Sequence, residues 1–457
     1  MVTITAHKAC FTGLILTLAI ALLGWGMTPL NAATATLEGV LFALLPIVWV
    51  ILAAFFTYNL SIRTGAIGHI KALLSNISPD RRIQALIIAW GFGSFMEAVA
   101  GFGTAVAVPA ALLIALGFRP FLAAILCLLA NTIAVAFGVV GIPVITLGQV
   151  TGLPMTELST AVVLQLTPFV MLVPAIIVLT VTRNLKDAAA VWLPILVAGG
   201  SFGVTQFLTA RYIGPELPAI IGSVASFASI IACVRLLPPD TIWRFPDEAA
   251  GQDVAAPQTL SQASPVDLKA QLTAWAPYLI LLVIVLATSR LVPPLNTLFG
   301  AVKTSLPIYT GDGAKPLVFS WLLTPGTIVL VSALIGGFLQ GARPSVLLSV
   351  FLATAKQLRK TALTVICIVA MAKILGYSGM VFSIATGMVA VTGAAYLFFA
   401  PLLGALGTFI TGSDTSSNIL FGPLQSEIGS RLGLSPVWLA AANTSGACIG
   451  KPISPPS

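Results

Sequence analysis

The sequence predicts an all-α polytopic membrane protein built as an inverted repeat, with two re-entrant hairpins and broken helices. Three observations carry that expectation. First, 58% of the 457 residues are hydrophobic and only 8% are charged, where a soluble domain has roughly a quarter charged; the mean hydropathy is +1.04. Second, apolar runs near the ~20 residues needed to cross a bilayer recur along the whole chain, not the ~10-residue alternating segments of a β-barrel. Third, one ordered pattern occurs twice. Gly101-Phe-Gly-Thr104 precedes Gly117-Phe-Arg-Pro120 and Ala130-Asn-Thr132 with Gly138; Gly412-Ser-Asp-Thr415 precedes Gly433-Leu-Ser-Pro436 and Ala442-Asn-Thr444 with Gly450.

In chain order, candidate spans cover about 11–30, 39–59, 85–118, 120–143, 160–182, 189–209, 218–237, 272–290, 317–340, 361–376, 380–411 and 436–450. The first follows His7 and Lys8 and is read as an uncleaved helix, because it is long enough to span and further spans succeed it. A polar linker, 238–270, with Asp240, Arg244, Asp247, Glu248 and Asp253, separates a first repeat (1–237) from a second (271–457). Positive charge sets orientation. The 61–83 segment (Arg63, Lys71, Arg81, Arg82), the 341–360 loop (Arg343, Lys356, Arg359, Lys360) and the turn with Arg183 and Lys186 are expected in the cytoplasm. The 31–38 loop, with Glu38, and 144–159 are expected outside. Arg431, Lys303 and Lys315 run against this scheme. The net charge of +8 follows from these loops and is no nucleic-acid signal. The five cysteines are isolated, no Cys-x-x-Cys occurs and there are two histidines, so no metal or cofactor is expected.

These assignments impose a parity. The chain enters 85 from the cytoplasm and reaches 144 outside, yet 85–100 and 104–118 are each short of the ~17 residues of a minimal span. A hairpin turning at Gly101-Phe102-Gly103 resolves the count, with 120–143 as the single crossing. Glycine supplies the backbone freedom of such a tip, and irregular backbone at that depth requires protein or a water-filled cavity around it. The second copy, starting at 380, enters from the opposite face. Two oppositely oriented copies are the signature of an alternating-access secondary transporter. The first half continues through three further spans after Gly138, whereas seven residues follow Gly450; the comparison leads one to expect additional spans after the second copy.

Glu97 and Asp414 are the acids expected well inside apolar segments, and an intramembrane carboxyl is a functional-site hypothesis by default. Desolvation favours a neutral acid, which suits proton loading and release; the plainer reading is a carboxyl hydrogen-bonded to a hairpin tip. Ser413, Asp414, Thr415, Ser416, Ser417 and Asn418 are consecutive polar residues at membrane depth. They need partners, which a small polar substrate supplies, and helix N-termini there suit a carboxylate. Thr104, Asn131, Thr132, Asn443 and Thr444 fit the same lining, with interhelical hydrogen bonding as the alternative. Lys451 is a candidate to neutralise an anionic substrate, with snorkelling to the surface as its alternative; Lys373 is a weaker one.

The motifs resemble the bacterial lactate permease family. The resemblance rests on Gly91-Phe-Gly-Ser-Phe-Met-Glu97-Ala-Val-Ala-Gly-Phe-Gly-Thr104, Ala130-Asn-Thr-Ile-Ala-Val-Ala-Phe-Gly138 with Gly141-Ile-Pro143, Gly214-Pro-Glu-Leu-Pro218, Thr411-Gly-Ser-Asp-Thr-Ser-Ser-Asn418 and Ala442-Asn-Thr-Ser-Gly-Ala-Cys-Ile-Gly-Lys451. It implies proton-coupled uptake of L-lactate, with D-lactate and glycolate as further substrates, through a multi-pass protein of the bacterial cytoplasmic membrane. Its implied partners are a small monocarboxylate, protons and the bilayer. Pro452 and Pro456 replace the family's Met and Gln, 291–316 is shorter, and family members continue into further helices. The rival readings are a symporter for another small carboxylate, an inactive truncated permease, a passive channel, which needs rings of like groups, and an intramembrane enzyme. The last needs paired catalytic groups, and neither histidine is close in sequence to Glu97 or Asp414.

Overall fold

The computed structural model describes residues 5–454 except 76, 102, 103, 240, 246–267, 290, 313 and 315. Most of the linker and the two residues at the tip of the first hairpin therefore lie outside the described residues, as does the side chain of Thr104. Eight described helices are long and apolar enough to cross a bilayer, which makes the chain a multi-pass helical membrane protein.

The chain opens with α1 (Ala6–Leu23) and α2 (Pro29–Arg63). Thr28 caps α2 by accepting from the Asn31 N–H at 3.3 Å, and Pro29 occupies its first turn, where its missing N–H costs nothing. These signals start the helix early, so 31–38, expected as an outer loop, is helical. Pro46 interrupts the hydrogen-bond ladder, and α2 passes it through a π-helical turn over Ala43–Val48. A short α3 (Ala66–Ser75) follows.

The stretch expected as a hairpin forms α4 (81–99) and α5 (Thr104–Ala115), which pack on each other, with Gly101 at φ +58 between them. Asp80 caps α4 through the Arg82 N–H at 2.9 Å. The buried Arg82 guanidinium binds Asp80 at 2.7 Å and donates to the carbonyls of Asp187 and Thr241, tying two connecting segments to this helix end.

The span that follows, Pro120–Thr151, is broken. After α6 (Pro120–Ala134) come a 3₁₀ turn and α7 (Gly138–Thr151), in which Val139, Val140 and Gly141 have φ of 47°, 56° and 77°. Left-handed backbone costs an L-residue about 1–2 kcal/mol, and two of the three are β-branched. Tertiary packing holds them there. Val139 and Val140 are buried, and a methyl on Gly141 would stand 2.6 Å from the Pro215 carbonyl carbon, so the Gly214–Pro218 motif lies directly on the break.

Around this core stand α8 (Met155–Thr182), α9 (Trp192–Tyr212) and α10 (Pro218–Leu236). Trp90 is fully buried among them; its N–H donates to Ser226 at 3.0 Å and its ring lies 5.2 Å from Phe202. After the linker, α11 (Leu268–Thr288) leads to the antiparallel pair β1 (Lys303–Leu306) and β2 (Leu317–Ser320), then α12 (Pro325–Leu339). The span expected at 317–340 thus begins as a strand. The loop expected at 341–360 contains a helix, α13 (Pro344–Gln357), ahead of α14 (Arg359–Tyr377). The 380–411 span divides at Gly393, φ +51, into α15 (Met380–Thr392) and α16 (Tyr396–Thr411).

The second copy closes with α17 (Asp414–Arg431) and α18 (Pro436–Gly450). Gly446 and Gly450 lie one turn apart on the face of α18 that meets α16. A methyl there would stand 2.6 Å from Pro401 Cα or 2.8 Å from Ala405 Cα. Small residues at this spacing are how helices approach closely in lipid.

A polar cavity between the two repeats

Residues from both halves of the chain line a cavity of about 380 Å³. One end is buried and charged. Glu97 from α4, Asn131 from α6, Ser413 to Ser416 at the start of α17, and Lys451 just beyond α18 all line it. The other end is lined by His7 of α1 and by Lys360, Thr361 and Thr364 of α14, of which Lys360 and Thr361 are exposed.

Glu97 is 2% exposed. Its Oε1 accepts from Lys451 Nζ at 3.4 Å across the repeats. Gly138 packs so close to this carboxyl that a methyl on it would stand 2.7 Å from Oε1. Asp414, also buried, accepts from the Cys448 thiol at 3.6 Å through Oδ2. Three buried acceptors at this end have no hydrogen-bond partner among the described residues: Glu97 Oε2, Asp414 Oδ1 and Asn131 Oδ1. Such atoms cost free energy unless something satisfies them.

Ser413 caps α17. Its Oγ accepts from the Ser416 N–H at 3.2 Å, and Gly412 before it takes the left-handed φ of 72° that ends α16. Ser413 to Ser416 line the cavity, so the N-terminus of α17 borders it, a position that favours an anion.

The remaining polar candidates point elsewhere. The Thr132 hydroxyl donates to the Leu128 carbonyl of its own helix at 3.2 Å. Asn418, Asn443 and Thr444 form a closed knot: Asn443 Nδ2 and the Thr444 hydroxyl both donate to Asn418 Oδ1 at 3.0 Å, and Asn418 Nδ2 donates to the Pro143 carbonyl at 3.1 Å. Ser417 donates to the Gly404 carbonyl at 2.9 Å, and Gln425 links the Asn443 amide oxygen to the Tyr396 hydroxyl. These residues join α16, α17 and α18 and do not line the cavity.

Three features escape a reading of the sequence. Cys448 reads as a small apolar residue, yet it is the donor to Asp414. His7 and Lys360 look like ordinary flanking charges, yet both line the cavity. Glu38 is a further buried carboxyl, held by Lys373 at 2.6 Å and by the Tyr377 hydroxyl at 2.9 Å, outside the cavity lining. Lys373 is therefore committed to Glu38. Tyr309, from the segment after β1, stacks on Tyr377 with centroids 3.7 Å apart. Burial, and then the nearby charges of Asp312 and Glu38, push its phenol up.

Comparison with known proteins agrees with this architecture. Among solved structures, the YdaH transporter of Alcanivorax borkumensis superposes with a TM-score of 0.51 at 16% identity, over 98% of this chain and 89% of that one. MtrF of Neisseria gonorrhoeae, reported among antimetabolite efflux pumps, gives a TM-score of 0.51 at 11% identity, over 98% and 85%. At such identities the likeness is one of fold. Sequence relatives are nearer. An L-lactate permease of Streptococcus iniae is 42% identical over 444 residues, 96% of this chain and 90% of that protein. An L-lactate permease of Escherichia coli K12 is 38% identical over 462 residues, 96% and 82%. The glycolate permease GlcA of the same organism is 37% identical over 479 residues, 99% and 84%. The family model described as L-lactate permease matches residues 1–457, and this chain belongs to the L-lactate permease family.

Proposed function

We propose that this chain carries L-lactate, with D-lactate and glycolate as further substrates, into the cell together with protons across the bacterial cytoplasmic membrane. One observation carries the reading: a single cavity gathers Glu97 and Asn131 of the first half of the chain with Asp414 and Lys451 of the second, and three buried acceptors on these residues have no hydrogen-bond partner among the described residues. A small 2-hydroxy acid matches that arrangement. Its carboxylate suits Lys451 and the N-terminus of α17, and its hydroxyl donates to an acceptor such as Asn131 Oδ1. The cavity volume of about 380 Å³ falls near the lower end of small-ligand sites, ~300–1,000 Å³, leaving room for substrate with some water. Glu97 is the proton site, being buried, beside a cation and within reach of the substrate. The charge rule puts His7 and Lys360 on the cytoplasmic side, so this conformation is the inward-open one.

Carriage by this route is saturable and gradient-driven, which separates it from a channel, and the cavity chemistry needs no bond of the substrate to break. The test is uptake of labelled L-lactate into proteoliposomes under an imposed inward acid gradient, with unlabelled glycolate as competitor. Accumulation above equilibrium that collapses when the gradient is dissipated supports the proposal. Linear, unsaturable flux indicates a channel, and absence of uptake refutes the reading.

A further inference from the structure

We infer that Lys451 is a shared cation, paired with Glu97 while the site is empty and with the substrate's carboxylate once Glu97 has taken up a proton. This rests on the proposed monocarboxylate site and adds the means by which proton and substrate become coupled there.

The geometry makes the lysine available to both. Its Nζ stands 3.4 Å from Glu97 Oε1, a long contact for a charge-assisted hydrogen bond (~2.7–2.9 Å). Lys451 is 12% exposed while Glu97 is 2% exposed, and both line the same cavity. The lysine belongs to the second repeat and the glutamate to the first, so the pair spans the two bodies whose relative movement alternating access requires. In the repeat alignment Gly138 corresponds to Gly450, which sets Lys451 against Val139. Val139 lines the same cavity. The first repeat thus supplies no counterpart cation.

Charge balance then sets the order of events. The buried end holds Glu97, Asp414 and Lys451. One lysine neutralises one carboxylate, so with the cavity empty the other carboxyl is neutral. A substrate carboxylate adds a negative charge at a depth where an uncompensated one is strongly disfavoured. Balance returns when one proton from solution binds Glu97 and Lys451 turns to the substrate; the lysine keeps its own protons throughout. The other charged groups around Glu97 are His7 and Lys360 at the open end, and Glu216 beside Pro215 at the α6–α7 break. By linkage, the proton strengthens substrate binding by the same factor as the substrate strengthens proton binding.

The experiment is equilibrium binding of labelled L-lactate to the purified full chain, from mildly acid to mildly alkaline pH, with fold integrity checked by thermal melting. In the wild type, affinity is expected to fall with rising pH, approaching about tenfold per unit for one linked proton. Glu97→Gln should bind independently of pH, near the wild type's acid limit. Lys451→Met should bind weakly throughout, and Glu97→Gln added to Lys451→Met should give no further tightening. Tightening by Glu97→Gln that persists without the lysine would overturn the inference, because Glu97 would then repel the substrate directly. Wild-type-like pH dependence in Glu97→Gln would overturn it as well. Should Lys451→Met fail to fold, Lys451→Gln takes its place in both comparisons. A folded wild type that binds neither lactate nor glycolate at acid pH refutes the proposed substrate; binding without the variant pattern refutes only the sharing of Lys451.

Discussion

Gly446→Ala tests whether the close approach of α16 and α18 sets the geometry of the cavity. The added methyl would overlap the Pro401 carbonyl oxygen, its nearest neighbour, and stand 2.6 Å from Pro401 Cα, where relaxed carbon–carbon contact is roughly 3.5–4.0 Å. The helices must therefore part by at least about 1 Å. Overpacking of this kind costs about 1–3 kcal/mol, and backbone on the opposing side argues for the upper half of that range. Alanine's better helix propensity returns about 1 kcal/mol, leaving a net loss of about 1–2 kcal/mol. Function should suffer more than stability. Lys451 sits five residues beyond the substitution and already stands 3.4 Å from Glu97; a misplacement near 1 Å at a working site can cost about 100-fold. The assays are thermal melting of the detergent-purified protein and initial lactate uptake in proteoliposomes. Gly387→Ala is the control, since a methyl there meets open space, and it should leave both readings unchanged or raise stability slightly. A Gly446→Ala protein with wild-type melting and uptake would refute the claim that this contact sets the site.

Other substitutions separate binding groups from structural ones. Asn131→Leu should raise the substrate KM at least about tenfold while melting changes little, because Asn131 Oδ1 has no partner among the described residues. Asn443→Leu should instead lower stability by about 1–3 kcal/mol, seen as a reduced melting temperature, because it leaves Asn418 and Gln425 buried without their partner. Lys373→Met should cost about 3 kcal/mol by stranding the Glu38 carboxylate, with the lower end of the range set by the lysine's 22% exposure. Glu38→Gln added to it should recover part of the lost melting temperature. Ser226→Ala leaves the fully buried Trp90 N–H without its acceptor and should cost about 1–3 kcal/mol in the same measurement.

The multi-pass helical class is legible because lipid demands long apolar helices and tolerates glycine and clustered polar residues only for a reason. That logic identified Glu97, Asp414 and the start of α17, which do meet in one cavity. It reached its limit where helix phase and tertiary partners decide. Asn131 and Thr132 are neighbours in sequence, but one residue is about 100° of helix, so Asn131 lines the cavity while Thr132 bonds its own backbone. Cys448 resembles the other apolar cysteines until α18 packs on α17 and brings its thiol to Asp414. Glu38 was assigned to a loop because charge alone suggested an outer segment; the Thr28 cap and Pro29 extend α2 through it, and Lys373 makes its burial tolerable.

The repeated glycine and Ala-Asn-Thr pattern does not extend to the charged residues. When the two copies of the pattern are aligned in sequence, Glu97 corresponds to Thr408, Asp414 to Gly103 and Lys451 to Val139; Asn418, which completes the knot with Asn443 and Thr444, corresponds to Ala107. Asn443 Oδ1 accepts from Gln425 Nε2, whereas the buried Asn131 Oδ1 has no partner among the described residues. The same motif therefore closes a hydrogen-bonded knot in the second half of the chain and leaves an unpartnered acceptor on a cavity-lining residue in the first. Two long-range ion pairs also differ in their exposure to substrate. Glu38–Lys373 lies outside the cavity and is closed by the Tyr377 hydroxyl, which stands within hydrogen-bond reach of both carboxylate oxygens. Lys451–Glu97 lies within it and leaves the buried Oε2 of the carboxylate without a hydrogen-bond partner among the described residues. A bound anion can compete only for the second pair, so that contact between the repeats is the one whose strength changes with loading.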